Sequence, residues 1–177
     1  MKKLLAATIV ACSFGASAAN FVSVDYDNVI GRSGATNSGA TTVRAGKEVS
    51  GLQLGMQSRT ARFAGGGLAN SLEGTVGKDF GGLMPYVGLG HDFGYNGGAT
   101  QNYGLVGVNY GLVAGPGFAL AGVKTRVRAS ASDTKQTVAY ATYSIPVVKN
   151  ISINLNTSYS AQDIKEKALG VGLSFGF

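Results

Sequence analysis

The end of this chain alternates strictly between large apolar side chains and very small ones. Leu169, Val171, Leu173, Phe175 and Phe177 occupy every second position, and only glycine or serine stands between them. This period of two indicates a β-strand with one large apolar face. Such a strand suits hydrocarbon on one side and a crowded interior on the other. The pattern therefore favours a β-barrel that closes within a lipid bilayer.

The first residues have the layout of a secretory signal peptide. A short basic segment precedes an apolar stretch, and Ala16 and Ala18 then form an A-x-A cleavage motif. We therefore expect a signal peptide over residues 1–18, export across the inner membrane, and one mature barrel domain over residues 19–177. The segment that ends at Cys12 also resembles the lipobox of bacterial lipoproteins, so lipidation at this cysteine is an open alternative.

Glycine is the compositional outlier, with 28 residues in 177. Low-complexity disorder would explain this abundance, but a hydrophobic content of 45% and the repeated alternation argue against it. We expect many glycines to face a narrow lumen, where either other groups approach them closely or gaps remain that water fills. The net charge of +6 is spread over a chain that is only 14% charged, without a basic run, so no nucleic-acid partner is expected.

The alternation recurs along the chain and predicts an all-β fold, a transmembrane antiparallel up-and-down β-barrel of ten strands, with eight as the alternative. Short turns are predicted at Ser50-Gly51, Gly81-Gly82, Gly115-Pro116-Gly117 and Lys149-Asn150. Longer polar loops are predicted at Gly31–Ala40, Ala64–Leu68, Asn96–Gln101, Ser130–Lys135 and Ala161–Glu166. The two kinds of connection alternate, as short periplasmic turns and longer outside loops do in outer-membrane barrels.

Aromatic residues group towards the two ends of the predicted strands, which is typical of the girdles at the two membrane interfaces. Near the short turns stand Phe21, Phe80, Tyr86, Tyr110, Phe118, Tyr143 and Phe177. Near the long loops stand Phe63, Phe93, Tyr95, Tyr103 and Tyr159. The sequence therefore predicts two aromatic girdles.

Charged residues within the predicted strands are the candidate functional residues. A Lys or Arg that faces lipid at mid-bilayer costs about 2–4 kcal/mol, so we expect these side chains to face the lumen. They either pair into a plug that locks the barrel or line a narrow path that prefers anions. Ten strands lie close to the size at which side chains fill the interior, which favours the plug. The predicted network comprises Asp25, Asp27, Arg44, Arg59, Glu73, Asp92, Lys124, Arg126 and Arg128.

His91 is the only histidine of the chain and stands next to Asp92. Because consecutive strand residues face opposite sides, we do not expect these two side chains to form an acid–base pair. One histidine and no cysteine after the leader give no support for a metal site. We therefore expect no enzyme, no cofactor and no metal, and an envelope hydrolase or acyltransferase is the least favoured alternative.

The leader, the alternating strands and the closing segment Leu169–Phe177 together resemble the small outer-membrane β-barrel proteins of Gram-negative bacteria, in particular the OmpA/OmpX-like barrel group. The resemblance implies an outer-membrane location, contact with lipid and lipopolysaccharide, and a terminal segment that the barrel-assembly machinery reads during insertion. No peptidoglycan-binding domain like that of OmpA is expected, and the protein is expected to be a monomer. The expected role is structural or surface-interacting with at most minor permeability; a narrow porin-like channel for ions or small solutes is the alternative.

Overall fold

The computed structural model describes residues 20–30, 37–62, 67–95, 100–128, 135–160 and 167–177. The predicted leader, with Cys12, Ala16 and Ala18, lies outside these residues, as does most of each predicted long loop. Within the described ranges the strands are β1 (Phe21–Ile30), β2 (Asn37–Val49), β3 (Leu52–Arg62), β4 (Leu68–Gly77), β5 (Leu83–Tyr95), β6 (Gln101–Ala114), β7 (Gly117–Arg128), β8 (Lys135–Val148), β9 (Ile151–Ser160) and β10 (Lys167–Gly176). No helix in this part of the chain is long and apolar enough to cross a membrane.

These strands form one closed antiparallel barrel, in which each strand pairs with its sequence neighbours and β1 pairs with β10. At the seam, Phe21 lies opposite Gly176 and Val24 lies opposite Leu173. Closure satisfies the backbone donors and acceptors that an open sheet edge would leave unpaired in lipid. The predicted ten-stranded up-and-down barrel is confirmed, and the eight-stranded alternative is wrong.

The outer surface carries the large apolar side chains that alternate along the strands. Leu89 on β5, Val106 on β6 and Leu173 on β10 are all more than half exposed. The residues between them face inward, as the regular alternation of exposed and buried positions along β9 shows most simply. A continuous apolar band of this kind is typical of a surface that meets hydrocarbon.

The short connections follow from their local sequences. Ser50 and Gly51 both have positive φ angles, 53° and 77°, as in the type I′ turn whose twist matches the flanking strands. Asn150, with a φ of 69°, is a residue type that tolerates this left-handed conformation. Pro146 lies next to a register shift between β8 and β9, the kind of irregular position at which sheets tolerate proline.

Two predicted connections differ from the structure. Strand β2 begins at Asn37, so the end of the predicted loop Gly31–Ala40 is extended. Gly39 lies opposite Asn28 of β1, which shows that backbone pairing continues where the apolar pattern has faded. The turn predicted at Gly81-Gly82 is also wider than expected, because β4 ends at Gly77 and β5 begins at Leu83. Within this turn, Gly82 N donates to Asp79 Oδ1 at 2.8 Å.

Candidate functional site: the barrel lumen

Three aromatic side chains predicted for the girdles instead fill part of the lumen. Tyr86 on β5, Tyr103 on β6 and Phe118 on β7 are buried and form a cluster with Met84 and Leu105. All of them occupy inward positions of the alternation. The girdle prediction is wrong for these three residues and for Phe21, which lines the lumen cavity, because the parity of a position sets the face of the sheet whatever its height along the strand.

Inward glycines provide the room that two of these rings occupy. Gly107 lies opposite Tyr86 and Gly90 lies opposite Tyr103 in the β5–β6 register. A Cβ atom at either glycine would collide with the ring of its cross-strand partner. Each ring therefore lies directly over the neighbouring backbone. At these two positions inward glycine permits the close approach of another group, as expected, and leaves no gap for water.

The first charge cluster centres on Glu73 of β4. Lys124 Nζ lies 2.8 Å from Glu73 Oε2, and Arg126 Nη2 contacts Glu73 Oε1. Tyr103 Oη donates a hydrogen bond to Glu73 Oε1 at 3.0 Å, and the Arg126 guanidinium lies 5.2 Å from the centre of the Tyr103 ring. Because Lys124 and Arg126 belong to β7, which is not adjacent to β4 in the barrel, these ion pairs cross the lumen.

The second charge cluster surrounds Asp25 of β1. Arg44 of β2 contacts Asp25 Oδ2, to which the Ser23 hydroxyl also donates, at 3.2 Å. The amides of Asn154 and Asn156 on β9 donate to Asp25 Oδ1 at 3.3 and 2.8 Å. The carboxylate is fully buried behind these donors, whereas the Arg44 side chain keeps substantial access to the lumen.

The other predicted charges lie closer to the long-loop end of the barrel. Arg128 Nη2 is 3.8 Å from Asp92 Oδ2, and both side chains are partly exposed. Asp27 and Arg59 line the lumen cavity. The structure therefore brings the predicted charged residues to the inner side of the barrel, with ion pairs around Glu73, around Asp25 and between Asp92 and Arg128.

Sequence reasoning missed the uncharged polar residues of the lumen. The hydroxyls of Tyr86 and Tyr140 are 2.9 Å apart, and Tyr140 Oη also donates to Asn109 Oδ1. Asn154 accepts a hydrogen bond from the Ser144 hydroxyl at 2.8 Å. Each of these residues holds an inward position of its strand, so the alternation itself was the signal that could have found them.

A cavity of about 300 Å³ lies beside the Glu73 cluster. Its lining extends from Phe21 and Gln53 near the short-turn end to Gln136 and Ser160 near the long-loop end. One water molecule needs only about 10–15 Å³ of cavity volume. The side chains of the described strands therefore bridge the lumen without filling it.

His91 and Asp92 face opposite sides of the barrel wall. His91 Nδ1 lies 2.6 Å from Asn102 Oδ1, and its ring meets Phe93 edge-on at 4.7 Å, whereas Asp92 pairs with Arg128. This placement gives no support to an acid–base pair. Among the described residues, no group of three or more His, Cys, Asp or Glu side chains is placed to hold a metal ion.

No family model and no curated protein sequence matches this chain. Among solved structures, it is similar to the translocator domain of the autotransporter NalP from Neisseria meningitidis, with a TM-score of 0.52, 12% identity, and coverage of 99% of this chain and 94% of that one. It is also similar to Neisserial surface protein A (TM-score 0.44, 13% identity, 92% and 99% coverage). The outer membrane protein Ail from Yersinia pestis is a third similar structure (TM-score 0.45, 12% identity, 91% and 100% coverage). The chain has the fold of the outer-membrane β-barrels.

Proposed function

We propose that this chain is an integral outer-membrane protein with a structural or surface-interaction role and at most minor permeability. The contact of Glu73 with Lys124 and Arg126 carries the proposal. This contact ties β4 to β7 across the lumen, which supports a barrel without an open channel of porin width along its axis. The barrel then serves as a rigid support in the bilayer, and its long loops are the parts that meet other molecules.

Liposome swelling tests this role. Purified protein is reconstituted into liposomes, and its folded state is checked by heat-modifiable gel mobility. We expect swelling in monosaccharide solutions at the rate of protein-free liposomes, because the bridged lumen excludes sugars. Rapid sugar entry through folded protein would contradict the proposal and indicate a general porin.

A narrow channel for ions is the second candidate function. The cavity of about 300 Å³ beside the Glu73 cluster favours it, since water in a polar cavity can carry ions that are much smaller than sugars. Recordings in planar bilayers separate the two functions. A protein that serves only as a support produces no discrete conductance steps, whereas a channel does.

We also propose that the closing strand is the signal for the barrel-assembly machinery and that lipid and lipopolysaccharide surround the folded, monomeric barrel. Phe177→Ser should lower the amount of folded barrel in the outer membrane of an expressing cell. Phe80→Ser is the matched control, because both phenylalanines are 62% exposed and Phe80 lies outside the closing segment Leu169–Phe177. Equal losses for the two variants would contradict the role of the closing strand.

Removal of residues 1–18 on export is a further part of the proposal. Intact-mass measurement of protein from outer membranes should give a chain that begins at Ala19. A mass that includes a lipid on Cys12 would contradict cleavage at Ala18 and favour a lipoprotein.

A further inference from the structure

We infer that the mid-lumen cavity is a site for small anions such as chloride, and that the minor permeability of the barrel is anion-selective. The inference deepens the proposed function and rests on it, because it requires a folded barrel in a bilayer. It names both the class of solute and the side chains that receive it.

Cations reach this cavity from opposite sides of the barrel. In the closed ring of ten strands, β2 and β7 stand across from each other. Strand β2 contributes Arg44, strand β7 contributes Lys124 and Arg126, and all three line the same cavity. Like charges that face each other across a water-filled space repel, and an anion between them relieves the repulsion.

The acids that pair with these cations are less exposed than the cations themselves. The Asp25 side chain is 0% exposed and that of Arg44 is 37% exposed. The Glu73 side chain is 4% exposed, against 13% for Lys124 and 14% for Arg126. An ion in the lumen therefore meets these cations before it meets the carboxylates of Asp25 and Glu73, although the Asp25–Arg44 pair is formally neutral.

The balance of acids and bases also makes the lining of the cavity positive. The Glu73 cluster contains two cations and one acid, so it carries a net positive charge. Asp27 and Arg59, which also line the cavity, contribute one charge of each sign. The mid-lumen surface is therefore positive both by its net charge and by which groups are exposed.

Uncharged polar side chains extend the site into a path beside the Glu73 cluster. Gln57, Thr142, Asn156 and Ser158 line the cavity around and beyond mid-height. Hydroxyl and amide groups replace part of the hydration shell of an ion that passes them. A small anion can therefore move past the cross-lumen ion pairs without breaking them.

The decisive variant combines Asp25→Asn with Arg44→Gln. It removes one acid and one base, so the net charge of the lumen does not change, the exposed guanidinium is lost and no buried carboxylate is left without its cation. Under a KCl gradient in planar bilayers, the unmodified barrel should pass chloride in preference to potassium. In the double variant the preference for chloride over potassium should be about fivefold lower, which is the effect of one charge in contact with an ion in water.

Lys149→Gln is the matched control, because it removes a cation from the exposed turn between β8 and β9 and should leave the preference unchanged. Unchanged chloride preference in the double variant would overturn the inference. If the double variant does not fold, the unmodified barrel still tests the inference, because a preference for potassium over chloride would overturn it. Folded barrels that conduct no ions would overturn the inference and leave the proposed function intact. Entry of sugars would contradict the proposed function itself.

Discussion

Replacing Glu73 by glutamine tests whether the cross-lumen ion pairs stabilise the barrel. The substituted amide would keep the shape of the side chain and an oxygen that accepts from Tyr103, but it lacks the charge that Lys124 and Arg126 share. Two largely buried cations would then lie side by side without a counter-ion. Removal of one partner from a buried ion pair destabilises a protein by about 3–5 kcal/mol. Because both cations keep some access to the cavity, we expect the lower end of that range.

Asp92→Asn is the matched control for this substitution. It also removes an acid from an acid–base pair inside the barrel, but Asp92 Oδ2 is 3.8 Å from Arg128 Nη2, and the two side chains are 28% and 31% exposed. Solvent-accessible pairs contribute about 0.2–1 kcal/mol. We therefore expect a loss of less than about 1 kcal/mol for this variant.

The measurement is the free energy of unfolding in urea, with the protein in lipid vesicles and linear extrapolation to water. The chain contains no tryptophan, so gel mobility without heating and circular dichroism follow the transition. Adding Lys124→Met to Glu73→Gln should restore part of the loss, because the two sites share one contact. A loss below about 1 kcal/mol for Glu73→Gln, or one equal to that of Asp92→Asn, would show that the cross-lumen ion pairs do not stabilise the barrel.

Two further substitutions can be compared by the same urea titration. Gly107→Ala should destabilise the barrel by about 1–3 kcal/mol, because the new Cβ would meet the Tyr86 ring, whereas Gly104→Ala, in open space on the same strand, should be neutral or slightly stabilising. Equal effects at the two glycines would contradict the packing of the ring on the backbone. Tyr140→Phe should cost about 1 kcal/mol, since it removes the hydrogen bonds to Tyr86 and Asn109; an unchanged unfolding midpoint would mean that these bonds contribute nothing.

The face that each strand residue presents could be predicted from sequence because it depends only on local alternation. Leu173 and Val24 are exposed, and Ser23 and Asp25 beside Val24 are buried, as a period of two requires. Tyr86 and Tyr103 obey the same rule. The girdle prediction was wrong for them because it considered their height along the strand and neglected their parity.

The partners of the lumen charges could not be predicted in the same way. Alternation places Glu73, Lys124 and Arg126 inside, but which of them meet depends on the stagger of strands that are far apart in sequence. That stagger is fixed by the closure of the whole ring. The different exposure of Asp25 and Arg44 has the same origin, because the amides that bury the carboxylate come from β9, at the other end of the chain.

We propose that hydrocarbon surrounds the outward face of the barrel and that the inward face is separated from it. Fluorescent labels on Leu89→Cys, at an outward position, and on Ser158→Cys, which lines the cavity, can be compared in vesicles made with brominated lipids. We expect brominated lipid to quench the label at position 89 much more strongly than the label at position 158. Quenching of the position 89 label by aqueous iodide but not by brominated lipid would contradict it.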